Sequence, residues 1–169
     1  GKRNNITTSK KIDVPANIPF VILGTALLWF GWFGFNAGSS LGANMEAVIA
    51  FANTNIASAT SMITWVFYDR FLNRKMSAVG ACIGAIVGLV AITPAAGFVT
   101  IGHSAFIGFC AAIISNITIS IMKKSKIDDT LDVFATHGVG GIVGMILTSI
   151  FANEVGLLYG SYQTLILHL

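Results

Sequence analysis

The sequence predicts an all-α membrane protein, a bundle of five transmembrane helices plus an incomplete sixth. Three observations carry that prediction. Hydrophobic residues make up 54% of the 169 and charged ones only 10%, with a mean hydropathy of +0.78, whereas about 25% of residues in a soluble domain are charged. The apolar residues gather into runs within or close to the roughly 17–25 residues that cross about 30 Å of hydrocarbon as a helix. The runs show no sustained alternation of period two, and their length and glycine content suit packed helices better than barrel strands.

Each element follows in order. Residues 1–16 are polar and basic and read as a linker on the cytoplasmic side. The first span covers residues 17–38, where Pro19 suits a first helical turn. Spans over 43–67 and 78–93 come next; Ser77 is placed to cap the third, and Pro94 to stop it. The fourth and fifth spans cover 98–122 and 131–153, and 159–169 begins a further one. A chain that starts at Gly1 and stops within an apolar run is expected to be a piece of something longer.

Charge gives the orientation. All ten Lys and Arg lie in three places: Lys2, Arg3, Lys10 and Lys11 before the first span, Arg70, Arg74 and Lys75 after the second, and Lys123, Lys124 and Lys126 after the fourth. The positive-inside bias puts the N-terminus and both loops in the cytoplasm, with Glu46 and Glu154 outside, in a multi-pass protein of the cell membrane. The net charge of +3 is thereby a matter of topology, and no nucleic-acid partner is expected.

Enzymatic, metal and redox chemistry find no support in the residue pattern. Cys82 and Cys110 sit inside apolar spans without CxxC spacing and read as packing residues. His103, His137 and His168 share no metal-ligand spacing, and no cofactor is expected. "GVGGIV" has Val143 in the place of the last glycine of GxGxxG and lies within a span rather than at a strand-to-helix turn. Gly80, Gly84 and Gly88 in the third span, and Gly140 and Gly144 in the fifth, form small-residue ridges that let helices approach closely.

Two faces carry polar groups whose burial needs a reason, because an unpartnered polar group in an apolar interior costs roughly 2–7 kcal/mol. Leu28, Trp32, Phe35 and Ser39 are spaced i, i+4, i+7, i+11, on one helix face with the serine outermost. That face is either an interfacial aromatic belt or a cation site, where ring quadrupoles and a serine oxygen would hold a small N–H cation. Asp129, Val133 and His137 fall at i, i+4, i+8 of the fifth span; on a continuous helix the imidazole would stand about 12 Å deeper than the carboxylate. An intramembrane histidine is either a pore or site residue or a hydrogen-bonded structural one. His103, near an outer turn, and His168, in the last run, read as incidental.

The segments "GWFGFNAGS" (31–39), "GACIGAIVGLVAITPAAG" (80–97) and "DDTLDVFATHGVGGIVG" (128–144) together resemble the ammonium transporter family, Amt/Mep/Rh, on its bacterial Amt branch. The resemblance runs over essentially the whole chain. It implies roughly the second half of an eleven-helix fold that forms homotrimers. It also implies that Trp32 and Ser39 belong to an outer ammonium-recruitment site and Phe35 to a phenylalanine gate beneath it. Leu28 and Val133 would line an apolar pore, His137 would be the second of twin pore histidines, and Asp129 a structural acid of the same helix. The first histidine, its companion aspartate and the other recruitment aromatics would belong to earlier helices not in this chain. The implied function is ammonium transport, with recruitment of the cation, loss of a proton and passage of ammonia, the proton being relayed separately or not. An ammonium sensor or signalling module and a non-conducting fragment are the alternatives, and a PII-type regulatory protein on the cytoplasmic face is an implied partner.

Overall fold

The computed structural model describes residues 15–125, 127 and 129–168. Most of the expected linker, with Lys2, Arg3, Lys10 and Lys11, lies outside the described residues, as do Lys126 and Asp128. Six α-helices follow one another, and no strand occurs among the described residues: α1 (Ile18–Ala37), α2 (Met45–Phe71), α3 (Ala78–Ile92), α4 (Ile101–Met122), α5 (Gly140–Phe151) and the short α6 (Gln163–His168). A 3₁₀ turn, Gly38–Ser40, extends α1, and a π-helical segment, Phe134–Val139, leads into α5.

Local chemistry sets the helix starts. The side chains of Asn17, Asn44, Ser77 and Thr100 accept hydrogen bonds from the backbone N–H groups of Phe20, Ala47, Gly80 and His103, which would otherwise be orphaned in the first turn. Pro19 sits in the first turn of α1, where its missing N–H costs nothing. The apolar runs overshoot these boundaries by including caps: Asn17 and Gly38 flank α1, and Thr100 moves the start of α4 to Ile101. The second run undershoots, because α2 continues through Tyr68, Asp69 and Arg70 to Phe71.

Among the described residues, three helical segments are long and apolar enough to cross a membrane: Ile18–Ser40, Ile101–Met122 and Phe134–Phe151. α3, at 15 residues, is shorter than a full crossing. α2 is long enough but carries too many polar residues to stand among them. Those residues face inward, which explains their presence. Asn53, Thr54, Ser58 and Ser61 are fully buried; Ser58 donates to the Ala85 carbonyl at 2.9 Å and Ser61 to the Gly84 carbonyl at 2.6 Å, tying α2 to α3. The Nδ2 of Asn53 reaches the carbonyls of Ala96 and Val99 at 2.8 and 2.7 Å and holds the turn between α3 and α4.

Glycine makes this closeness possible. A Cβ on Gly84 would lie 2.6 Å from that of Trp65, and one on Gly88 would lie 2.5 Å from the Ala57 carbonyl oxygen. Gly108 on α4 meets the same carbonyl from the other side, and Gly144 on α5 meets that of Ala91 on α3. α2, α3 and α4 thus form a mutually packed core, with α1 docked on α2 and α3, and α5 on α3 and α4. At the opposite end from the Asn53 turn, Asp69, Arg74 and Asn116 form a polar clasp: Arg74 donates to Asn116 Oδ1 at 2.9 Å, and Asn116 donates to Asp69 Oδ1 at 3.0 Å.

Candidate functional site

α1 presents its aromatic face beside α3. Trp32 and Phe35 stand with ring centroids 5.9 Å apart and planes inclined at 57°. With Leu27, Leu28 and Gly31 they line a cavity of about 280 Å³. A second cavity, of about 190 Å³, lies among Phe35, Ser39, Glu46 and Thr93 with neighbouring residues. Phe35 lines both.

Of the four residues expected on one face, Leu28, Trp32 and Phe35 share the first cavity and Ser39 opens onto the second. The α-helix ends at Ala37, and Ser39 belongs to the 3₁₀ turn, whose tighter winding carries it off the α-helical register. The Ser39 hydroxyl donates to the Phe35 carbonyl at 2.6 Å. Its proton is therefore committed, and its oxygen lone pairs are turned to any N–H donor that enters.

The Asp129–His137 segment departs from the expected continuous helix. Helical backbone begins only at Val133, and Asp132 is held at φ +52°, a left-handed conformation that breaks the regular spacing. Asp129 instead precedes the helix. Its carboxylate accepts from the N–H of Val133 at 2.9 Å and of Phe134 at 2.8 Å, so both oxygens satisfy first-turn donors. The 12 Å rise from Asp129 to His137 does not apply, since the intervening chain is part turn and part π-helix.

The π-segment was not legible as such. It contains His137, and its i→i+5 bonding accommodates one extra residue per turn, a feature frequent at functional sites. Ala135 and Thr136 point into the core. Thr136 donates through its hydroxyl to the Asp132 carbonyl at 2.9 Å. Val133, Phe134 and His137 are left exposed on the opposite side. Neither Val133 nor His137 lines either α1 cavity; both helices that carry the two groups rest on α3. Leu28 is 52%, Phe35 63% and Val133 47% exposed in this chain.

The remaining candidates take structural places. His103 stacks on Phe151 with centroids 4.6 Å apart, joining α4 to the end of α5, and Phe106 meets the same ring edge-on at 5.6 Å. Cys82 is buried and Cys110 half-buried, both as free thiols. No group of three or more His, Cys, Asp or Glu side chains suited to a metal ion occurs among the described residues.

Two further residues stand at the α1 site, Glu46, which the sequence marks only as a loop acid, and Thr93. Glu46 lines the second cavity, and Thr93 lines it too while accepting a hydrogen bond from the Trp32 indole at 2.8 Å. A hydroxyl just before Pro94 was visible as a helix-end residue, but a partner 61 positions away was not.

Comparison with known proteins places this architecture. The model of the family described as Ammonium Transporter Family matches residues 1–169. An ammonium transporter of Aquifex aeolicus (strain VF5) is 46% identical over 162 residues, covering 92% of this chain and 38% of that protein. Ammonium transporter 1 of Schizosaccharomyces pombe is 49% identical over 154 residues, covering 91% and 31% respectively. The crystal structure of Candida albicans Mep2 matches with a TM-score of 0.87 at 40% identity, over 92% of this chain and 37% of that one. A structure described as a sensor Amt protein matches with a TM-score of 0.82 at 33% identity, over 90% and 38%. The chain therefore spans about two fifths or less of the length of these relatives.

Proposed function

We propose that this chain, which belongs to the ammonium transporter family, supplies one side of an ammonium path across the membrane. It is part of a multi-pass membrane protein. The observation that carries the proposal is the end of α1, where Phe35 shares one cavity with the Trp32 ring and another with a serine oxygen whose own proton is already committed to the Phe35 carbonyl. Such a site suits a small cation with N–H donors. Ring quadrupoles attract its charge, and the Ser39 lone pairs accept a hydrogen bond.

Below this point the lining turns apolar, with Leu27, Leu28 and Gly31 around the first cavity. An isolated charge is far costlier to bury there than a neutral amine. Recruitment at Trp32 and Ser39, passage under Phe35 and loss of a proton before the apolar stretch together resolve that cost. Leu28 and Val133 then line the way, and His137 offers an imidazole to hydrogen-bond ammonia or relay the released proton. The one bond broken on the substrate is the N–H that releases the proton, which is taken up by water or passed to the His137 imidazole. Assembly as a trimer and docking of a PII-type regulator complete the proposal, and both rest on the family resemblance. Likeness to the sensor Amt protein favours a second reading, in which the same site reports ammonium rather than moving it.

The test is uptake by the complete protein with Trp32→Leu. Loss of a partly desolvated cation–π contact, worth about 0.5–2 kcal/mol, should weaken uptake about 2- to 30-fold at low ammonium and little at saturation. Unchanged uptake over the whole concentration range at equal expression would make Trp32 a packing residue. Ammonium binding without any flux in the parent protein would favour the sensor.

A further inference from the structure

The indole of Trp32 is held in place by a relay of two hydrogen bonds. Its Nε1–H donates to the Thr93 hydroxyl at 2.8 Å, and that hydroxyl donates to the Leu89 carbonyl at 2.8 Å. The polarity is unambiguous, since an indole N–H only donates and a carbonyl only accepts. Thr93 is thereby fixed at the end of α3, with its proton on its own helix and a lone pair toward α1. Trp29, on the same helix, has its Nε1 buried with no hydrogen-bond partner among the described residues. The pairing is thus particular to Trp32.

Its position matters. Trp32 lines the first cavity and Thr93 the second, while Phe35 lines both. The Trp32–Thr93 bond therefore joins a residue of the cavity lined by Leu28 to one of the cavity lined by Ser39 and Glu46. We infer that Thr93 is the positioning residue for Trp32, setting the tilt of the indole against Phe35 and hence the affinity with which a cation is held beside the two rings. The inference rests on the proposed role of the α1 site in the substrate path. It adds that the outer end of α3 fixes the geometry of that site from behind.

The test uses the complete transporter in proteoliposomes with Thr93→Val, which keeps the side-chain shape and removes the hydroxyl. The half-saturating ammonium concentration should rise about three- to tenfold, the range expected for one neutral hydrogen bond, with maximal flux within about twofold. Thr93→Ser should restore the parent value, because a serine hydroxyl can make both bonds. In parallel, the ultraviolet resonance Raman signal of Trp32, isolated by subtracting the Trp32→Phe spectrum, should shift to that of a free indole N–H in Thr93→Val and remain bonded in Thr93→Ser. Where Thr93→Val does not fold, Thr93→Ala makes the same comparison without the branched methyl. A lost hydrogen-bond signal with unchanged half-saturation would overturn the positioning role, as would a signal that stays bonded without the hydroxyl. Trp32→Phe with unaltered uptake would instead overturn the reading of the α1 site itself.

Discussion

Asp129 shows most clearly how a residue's role changes once its backbone is known. From spacing it read as an acid sharing a helical face with His137; in the structure its two carboxylate oxygens serve as a double acceptor for Val133 and Phe134 at the start of the π-segment. Asp129→Asn keeps one acceptor and replaces the other by a donor. The complete protein should lose about 0.5–2 kcal/mol of stability, the usual cost of a lost cap, seen as a lower unfolding temperature in detergent. An unchanged melting temperature would mean that water replaces the lost bond without cost. That Leu28, Trp32 and Phe35 share one surface was legible because side chains at helical spacing fall on one face. Thr93 was not, since the bond that gives it meaning joins two helices far apart in the sequence.

Helices were legible to within a few residues because bilayer thickness and apolar run length constrain one another. The misses have physical causes. Caps are polar residues at the edges of apolar runs, so Asn17 and Thr100 blur the boundary; α2 runs past the first charges because Asp69 is tied into the clasp with Arg74 and Asn116. The π-segment could not be foreseen, as an extra residue in a turn leaves no periodic mark within six residues. The glycine ridges resolve unequally. At Gly144 a Cβ would run into the backbone of Ala91, while at Gly140 the nearest atom, Ser115 Oγ, is 3.7 Å away. Gly144→Ala should therefore destabilise by about 1–3 kcal/mol through overpacking of α5 on α3. Gly140→Ala should be close to neutral or slightly stabilising through its helix propensity. Thermal unfolding of both variants side by side checks this, and equal melting points would show that α5 can shift to relieve the contact.

On the scale of the whole molecule, α2, α3 and α4 bury their small and polar residues against each other, whereas Leu28, Phe35, Val133 and His137 are each exposed. The chain spans 38% of the length of its Aquifex relative. The His137 imidazole, within an apolar glycine-rich run, is exposed in this chain, and the proposed function gives it a path to face rather than a buried bond. The most direct measurement is ammonium-driven pH change in proteoliposomes containing the complete protein, with and without His137→Ala, at matched reconstitution and after confirming equal thermal stability. The variant should remain folded and lose most of its ammonium flux. Flux equal to that of the parent would contradict the placement of His137 in the path.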